Sequence, residues 1–290
     1  MKELTIFTPT YNRCAKLRKL YDSLVGQTDK NFIWIIVDDG STDETGKMIS
    51  EWKKSSEFEI KYIYQTNQGK HIAMKRAFEQ CATDWIICVD SDDYLASSAV
   101  QEMLTDMKSV PSDCIGYIYP RKSKSLRASS FPRESMQISI MDASNIYGMV
   151  ETAILFKSKY LKLIEIPQYQ DERFLSEEIL YIQLDKFGKF CTRNQAFYIS
   201  EYQSDGLTAH IFQLWKKNPK GTIRLLNDRY HYSNKYAGDF ALKQKVKAIL
   251  NLNGVCISTK QSIWKYTPNM LLSALLYIPS IVLAEIRFSK

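Results

Sequence analysis

Histidine and paired cysteine are what this chain lacks. Its three histidines are His71, His210 and His231, and its six cysteines, at 14, 81, 88, 114, 191 and 256, form no C-x-x-C pair and no His/Cys cluster at zinc-ligand spacing. A zinc-binding reading is thereby excluded, and buried free thiols in a reducing compartment are expected. No Ser-His-Asp or Cys-His constellation points to a covalent nucleophile. No G-x-x-x-x-G-K-[ST] loop and no G-x-G-x-x-G turn occurs, so neither a Walker-type phosphate cradle nor a Rossmann dinucleotide site is supported. The first residues, "MKELTIFTPTYNR", carry no apolar stretch of the signal-peptide kind, and the expectation is residence in the cytosol.

Long hydrophobic runs are missing too. The most extended, "MLLSALLYIPSIVLA", covers 15 residues from Met270 to Ala284 with Pro279 inside it, which is short for a membrane span. Flanked by Lys265, Arg287 and Lys290, it reads as an interfacial helix, with a helix packed on the main domain and a true span as the alternatives. Residues 206–290 hold 13 Lys plus Arg against Asp228, Asp239 and Glu285, a charge of +10 within a chain of net +7, so the remainder is −3. This asymmetry suits an anionic partner, whether membrane lipid, a polyanionic substrate or nucleic acid, with a solvated basic face as the plainer alternative.

What is present is an ordinary folded composition. Hydrophobic residues at 45% and charged residues at 24% argue against disorder, and 290 residues suffice for one large domain with an appendage. Through the first 120 residues, apolar runs alternate with amphipathic ones. "LTIFT" precedes a helix over Arg13–Gly26 with Leu17, Leu20, Tyr21 and Leu24 on one face. "FIWIIV" precedes a helix over Glu44–Lys54, with Ser41 and Glu44 at capping-box spacing. "EIKYIYQ" precedes the helical "GKHIAMKRAFEQCA", and "WIICV" precedes a helix over Ser97–Met107. Continuous apolar strands with crossover helices predict a mainly parallel α/β sheet that binds ligand beyond the strands' carboxyl ends.

After "CIGYIYP" the pattern weakens. Residues 121–137, rich in Lys, Arg, Ser and Pro, read as an exposed loop. "ETAILFK" then reads as a strand, "SEEILYIQLDKFG" as a helix ending at Gly188, and "KFCTRNQAFYIS" as a strand. A helical, basic extension begins at Gly206, so the expected domains are 1–205 and 206–290.

Three expected strand ends are polar: "TPTYN", "DDGSTD" and "DSDD". Asp90, Asp92 and Asp93, around Ser91, would repel one another unless a cation compensates, and hard divalent ions prefer oxygen ligands. Magnesium characteristically takes one or two carboxylates plus substrate phosphates, so a metal-bound diphosphate is expected. Helix N-capping by one aspartate, with two solvated, is the structural alternative.

These stretches together, "TIFTPTYNR", "FIWIIVDDGSTDET" and "NQGKHIAMKRAFEQCATDWIICVDSDDYL", resemble the inverting glycosyltransferases of family 2 in order and spacing. The likeness covers residues 3–120 well and 140–200 loosely, and "DGLTAHIFQLWKKNPKG" looks like bacterial polysaccharide-assembly members. The resemblance implies a GT-A fold and a nucleotide-diphosphate sugar donor, usually a UDP-sugar. It places Thr8, Pro9 and Tyr11 at the nucleoside, Asp39 on the base and Asp38 in support. It makes Asp90 and Asp92 the D-x-D metal pair for manganese or magnesium, with Asp92 the direct ligand and Asp93 toward the sugar or the metal's waters. Where the family often carries Arg-Asn, this chain has Met74 and Lys75, so Lys70 or Lys75 becomes the phosphate contact. The family's Glu-Asp pair corresponds to Glu177 and Glu178, with Glu178 in the base position. His210 is a further candidate near the metal.

The expectation is a hexosyltransferase acting at the cytosolic face of the membrane on a lipid-linked saccharide in capsule-type polysaccharide synthesis, with membrane contact through the C-terminal segment and no nucleic-acid partner. A nucleotidyltransferase, and a non-catalytic nucleotide-sugar or polyanion-binding module, are the alternatives.

Overall fold

The computed structural model describes residues 2–123, 130–200 and 210–288. Two compact units emerge, Met1–Glu165 with Gln183–Gln203, and Ile166–Ile182 with Ser204–Lys290. Residues 166–182, which include Glu177 and Glu178, thus group with the C-terminal helices, on the far side of the expected 205/206 boundary.

In the first unit ten strands, β1 (Leu4–Thr10), β2 (Phe32–Asp38), β3 (Glu59–Tyr64), β4 (Trp85–Cys88), β5 (Tyr94–Leu95), β6 (Cys114–Ser123), β7 (Gln137–Ile138), β8 (Thr152–Lys157), β9 (Lys189–Thr192) and β10 (Tyr198–Ser200), form one sheet. Helices α1 (Cys14–Val25), α2 (Thr45–Ser55), α3 (Lys70–Gln80), α4 (Ala99–Lys108), α5 (Ile140–Asn145) and α6 (Ser158–Leu161) connect them. Strand order is β3-β2-β1-β4-β8-β6-β10-β5, with β9 on β6 and β7 on β9. The first four strands are mutually parallel, as expected, while β8 runs antiparallel to both β4 and β6. The sheet is therefore mixed and flanked by helices, in agreement with the expected α/β class.

Every residue of β1 and β2 is buried, because helices cover both faces and leave no side of these strands for water. On one face α1 contributes Leu17, Leu20, Tyr21 and Leu24, and the Tyr21 ring stacks on Trp52 of α2 at 4.2 Å between centroids. On the other, Phe78 of α3 meets Phe7 edge-on at 5.4 Å. Each such buried aromatic or leucine contributes about 1.5–3 kcal/mol. The register sets Thr10 beside Asp38 and Phe7 beside Cys88, so β1, β2 and β4 finish along the same sheet edge.

Three local expectations differ. The capping box does not form: Glu44 makes no cap bond, and the Asp43 carboxylate accepts instead from Thr45 N (3.1 Å) and Cys14 N (3.2 Å). "KFCTRNQAFYIS" splits into β9 and β10, since Arg193 turns to Asp106 at 2.8 Å and Asn194 holds the Phe131 backbone at 2.7 Å. The segment expected as an exposed loop is exposed over residues 132–135, but it begins as strand, with β6 continuing to Ser123, and Phe131 within it is buried.

The second unit contains the start of α7 (Glu178–Leu184), then α8 (Ile211–Lys217), α9 (Pro219–Tyr232), a 3-10 turn (Ser233–Lys235), α10 (Gly238–Ser258), α11 (Ile263–Tyr266), α12 (Met270–Leu275) and α13 (Tyr277–Phe288). The expected helical extension is present from residue 210 onward, residues 201–209 lying outside the described ones. The apolar "MLLSALLYIPSIVLA" divides at Leu276 into α12 and α13, with Pro279 in the first turn of α13, where its missing N–H leaves no helical bond unmade. Among the described residues no helix is long and apolar enough to cross a membrane.

Candidate active site

The loops after β1 and β2 are tied together. Ser41 Oγ accepts from Asn12 N at 2.8 Å, and Asn12 Oδ1 accepts from Thr42 N at 2.8 Å. Asp39 N donates to Thr10 O at 2.8 Å, extending the ladder one step past the strands. Gly40 sits at φ 89, and a Cβ there would stand 2.8 Å from Asn67 N, so this turn accepts glycine alone.

The first two aspartates of "DDGSTD", Asp38 and Asp39, organise this edge. Asp38 accepts from Ser41 N (2.8 Å) and from the Tyr62 hydroxyl (2.7 Å), and burial together with that carboxylate raises the Tyr62 pKa. Asp39 accepts from Gln65 Nε2 (2.7 Å), Gln68 N (2.8 Å) and Gly69 N (2.8 Å), drawing the 65–69 loop down onto the edge. A carboxylate offers about four lone-pair directions. Asp39 therefore retains capacity for one further donor. Thr8 and Pro9 are buried within β1, the Thr8 hydroxyl accepting from the Trp34 indole at 3.0 Å, whereas Tyr11 is 47% exposed.

The turn after β4 brings opposite charges to its aspartates. Lys70, at the first turn of α3, donates to Asp90 at 2.7 Å. Arg121, on β6, reaches Asp90 at 3.3 Å and Asp93 at 3.4 Å. The Tyr198 hydroxyl donates to Asp93 at 2.9 Å and accepts from Asp90 N at 2.9 Å. Burial opposes ionisation of Asp90, but Lys70 and Arg121 hold its carboxyl well below the usual range. Asp93 is pushed up to about 7 by burial and by the Asp90 charge, with Arg121 pulling the other way.

Protein cations thus supply the compensation expected of a metal for two of the three aspartates. Asp92 differs: it is half-buried, and among the described residues its carboxylate has no hydrogen-bond or ion-pair partner. Ser91 beside it is buried. Among the described residues no group of three or more His, Cys, Asp or Glu could hold a metal on its own. A single uncommitted carboxylate fits a magnesium or manganese ion whose remaining ligands are water and substrate phosphate, and does not fit a closed protein cage.

Lys75 is exposed and has no ion-pair partner among the described residues, so of the two lysines considered it is Lys70 that stands at the acidic turn. In the second unit Arg229 donates to both oxygens of Glu178, 2.8 Å from Oε2, and its guanidinium carbon lies 5.5 Å from the Trp215 ring centroid. Glu177 accepts from the Tyr181 hydroxyl at 2.8 Å. His210 is exposed just ahead of α8. Sequence reasoning missed Arg121, Tyr198 and Arg229. A signal existed for Arg121 alone, a charged residue ending the apolar run "CIGYIYP".

Comparison with known proteins places this arrangement. The model of glycosyl transferase family 2 matches residues 5–164, the stretch that carries β1 to β8 and all three strand-end loops. Glycosyltransferase GlyA of Streptococcus pneumoniae is 31% identical over 118 residues, 40% of this chain and 17% of the relative. A GalNAc(5)-diNAcBac-PP-undecaprenol beta-1,3-glucosyltransferase of Campylobacter jejuni is 24% identical over 193 residues, 66% of this chain and 62% of the relative. The chain therefore spans less than two thirds of the length of these relatives. S. aureus TarS 1-349, solved in complex with UDP-GlcNAc, superposes with a TM-score of 0.65 at 16% identity over 99% of this chain and 91% of that one, a likeness of fold. The fold and the family match define the class, a glycosyltransferase. The chain belongs to glycosyl transferase family 2.

Proposed function

We propose that the protein moves a sugar from a nucleotide-diphosphate donor, a UDP-sugar in the first instance, to a lipid-linked saccharide at the cytosolic face of the membrane, inverting the anomeric carbon, in the assembly of a bacterial surface polysaccharide. The observation that carries this reading is the uncommitted carboxylate of Asp92, set in a turn whose other two aspartates already have cationic partners. Asp92 holds the divalent ion, and Asp90, locked by Lys70 and Arg121, keeps the turn in shape. A manganese or magnesium ion held there would supply positive charge to neutralise the departing diphosphate. Tyr11 lies against the nucleoside, Asp39 takes the base N–H into its remaining acceptor direction, and Asp93 faces the sugar.

Proton removal from the acceptor hydroxyl falls to Glu178. The bidentate hold of Arg229 fixes the orientation of its carboxylate. Names of relatives support the acceptor class, since the Campylobacter jejuni protein is described as acting on an undecaprenol-linked saccharide. The test is incubation with manganese, a panel of nucleotide sugars and an undecaprenyl-diphosphate-linked saccharide. Release of nucleoside diphosphate with an inverted product linkage is expected. Turnover with no donor in the panel, or full activity in chelator, would overturn the reading.

A further inference from the structure

Helices α12 and α13 are built inside out for a protein surface in water. Their buried residues are Ser273, Ser280, Ala284 and, at the end, Phe288. Their exposed residues include Met270 (65%), Leu271 (73%), Leu275 (70%), Ile278 (74%), Val282 (53%) and Ile286 (73%). A helix on an aqueous surface turns its large apolar side chains inward and its small or polar ones outward. Here the small face is the one that docks.

That docking is close and specific. A Cβ on Gly254 of α10 would stand 3.1 Å from Leu283 and 3.3 Å from Phe288, so the helices approach at a position without a side chain. Asn253 Nδ2 donates to Ser273 O at 3.1 Å, Arg287 Nη1 to Asn251 Oδ1 at 2.6 Å, and Lys216 Nζ to Phe288 O at 2.6 Å. The outward apolar face is therefore a fixed feature of this unit.

We propose that this face lies in the headgroup region of an anionic lipid bilayer, making the protein monotopic. Three observations select lipid over other occupants. The segment from residue 206 carries +10, which repels a second copy of the same unit and attracts anionic headgroups. Trp264 (51% exposed) and Tyr277 (43%) stand on the same stretch, the two residue types that favour the bilayer interface. With 6 and 12 residues, α12 and α13 are too short to span, so the face lies on the membrane and does not cross it. Glu285 is the one acidic residue on α13. The proposal deepens the lipid-linked acceptor reading, yet its test needs neither donor nor acceptor, so each can fail alone.

The full chain is mixed with vesicles of phosphatidylcholine, alone or with 30 mol% phosphatidylglycerol, carrying brominated acyl chains. Trp34, Trp52, Trp85 and Trp215 are buried, which leaves Trp264 as the indole open to quenching. The expected result is sedimentation with the anionic vesicles and quenching of tryptophan emission that Trp264→Phe removes. The triple variant Leu275→Ser/Ile278→Ser/Ile286→Ser, at exposed positions, keeps the wild-type circular dichroism and loses roughly tenfold or more in partitioning. Absence of vesicle binding, or binding unchanged in the triple variant, overturns the proposal. So does a dimer in light scattering that the triple variant converts to monomer.

Discussion

The Arg121 guanidinium stands 3.3 Å from Asp90 and 3.4 Å from Asp93 while lying over the Tyr198 ring, 4.1 Å from its centroid. One cation from β6 thereby joins two aspartates of the turn after β4 to a tyrosine of β10. Removing it leaves two partly buried like charges facing each other. Arg121→Met is expected to lower unfolding free energy by roughly 3 kcal/mol, the usual cost of stranding a buried partner. Arg121→Met/Asp93→Asn should recover part of that loss. Urea denaturation of the three proteins measures it, and an unchanged midpoint in the single variant would show that the ion pairs contribute nothing.

Asp90 and Asp92, two positions apart, should respond oppositely. Asp92→Ala removes a carboxylate that has no hydrogen-bond or ion-pair partner among the described residues, so stability should stay within about 0.5 kcal/mol while metal-dependent turnover is lost. Asp90→Ala frees both Lys70 and Arg121 from a common partner and should cost measurable stability as well as turnover. Thermal melts and manganese titration of both variants decide this. Wild-type manganese affinity in Asp92→Ala would remove that residue from the site.

Much of the parallel half of the sheet was legible, because "LTIFT", "FIWIIV" and "WIICV" are apolar without alternation and each is followed by a helical period. The acidic strand ends were legible for the same reason: polar residues after a buried strand mark its carboxyl end. The partners of those acids were not. Tyr198 lies 105 residues from Asp93 and Arg121 lies 31 from Asp90, and they arrive through the pairing of β10 with β5 and β6, which no local pattern encodes. Composition likewise marked residues 270–284 as apolar, but which face docks depends on the small residues meeting Gly254, a matter of packing.

Glu178 and Glu177 separate by their partners. Glu178→Gln keeps the shape but cannot accept a proton, so turnover should fall about 10²–10⁴-fold with donor binding preserved. Glu177→Gln can still accept from Tyr181 and should stay within a few-fold of wild type. Arg229→Lys keeps the charge but loses the two-pronged contact to Glu178, and should reduce turnover while leaving KM for donor near its starting value. Steady-state kinetics with a fixed donor measure all three. A defect in Glu177→Gln as deep as in Glu178→Gln would move the base by one residue.

His71 supplies a pH prediction independent of catalysis. It is 3% exposed, and among the described residues its Nδ1 has no hydrogen-bond partner. Burial lowers its pKa to about 4 from an unfolded value near 6.5, with the Asp39 charge acting weakly in the other direction. Between those values the unfolded chain binds a proton that the folded chain refuses, so this contribution to stability is complete above pH 6.5 and is lost as pH falls toward 4. Asp93, raised to about 7, acts with the opposite sign over much of the same window, since there the folded state holds the extra proton. The two slopes are separated by subtraction. The stability difference between wild type and His71→Phe should shift by about 2–3 kcal/mol in disfavour of the wild type as pH falls from 7 to 4. A difference that stays flat across this window would mean that His71 titrates normally in the folded protein.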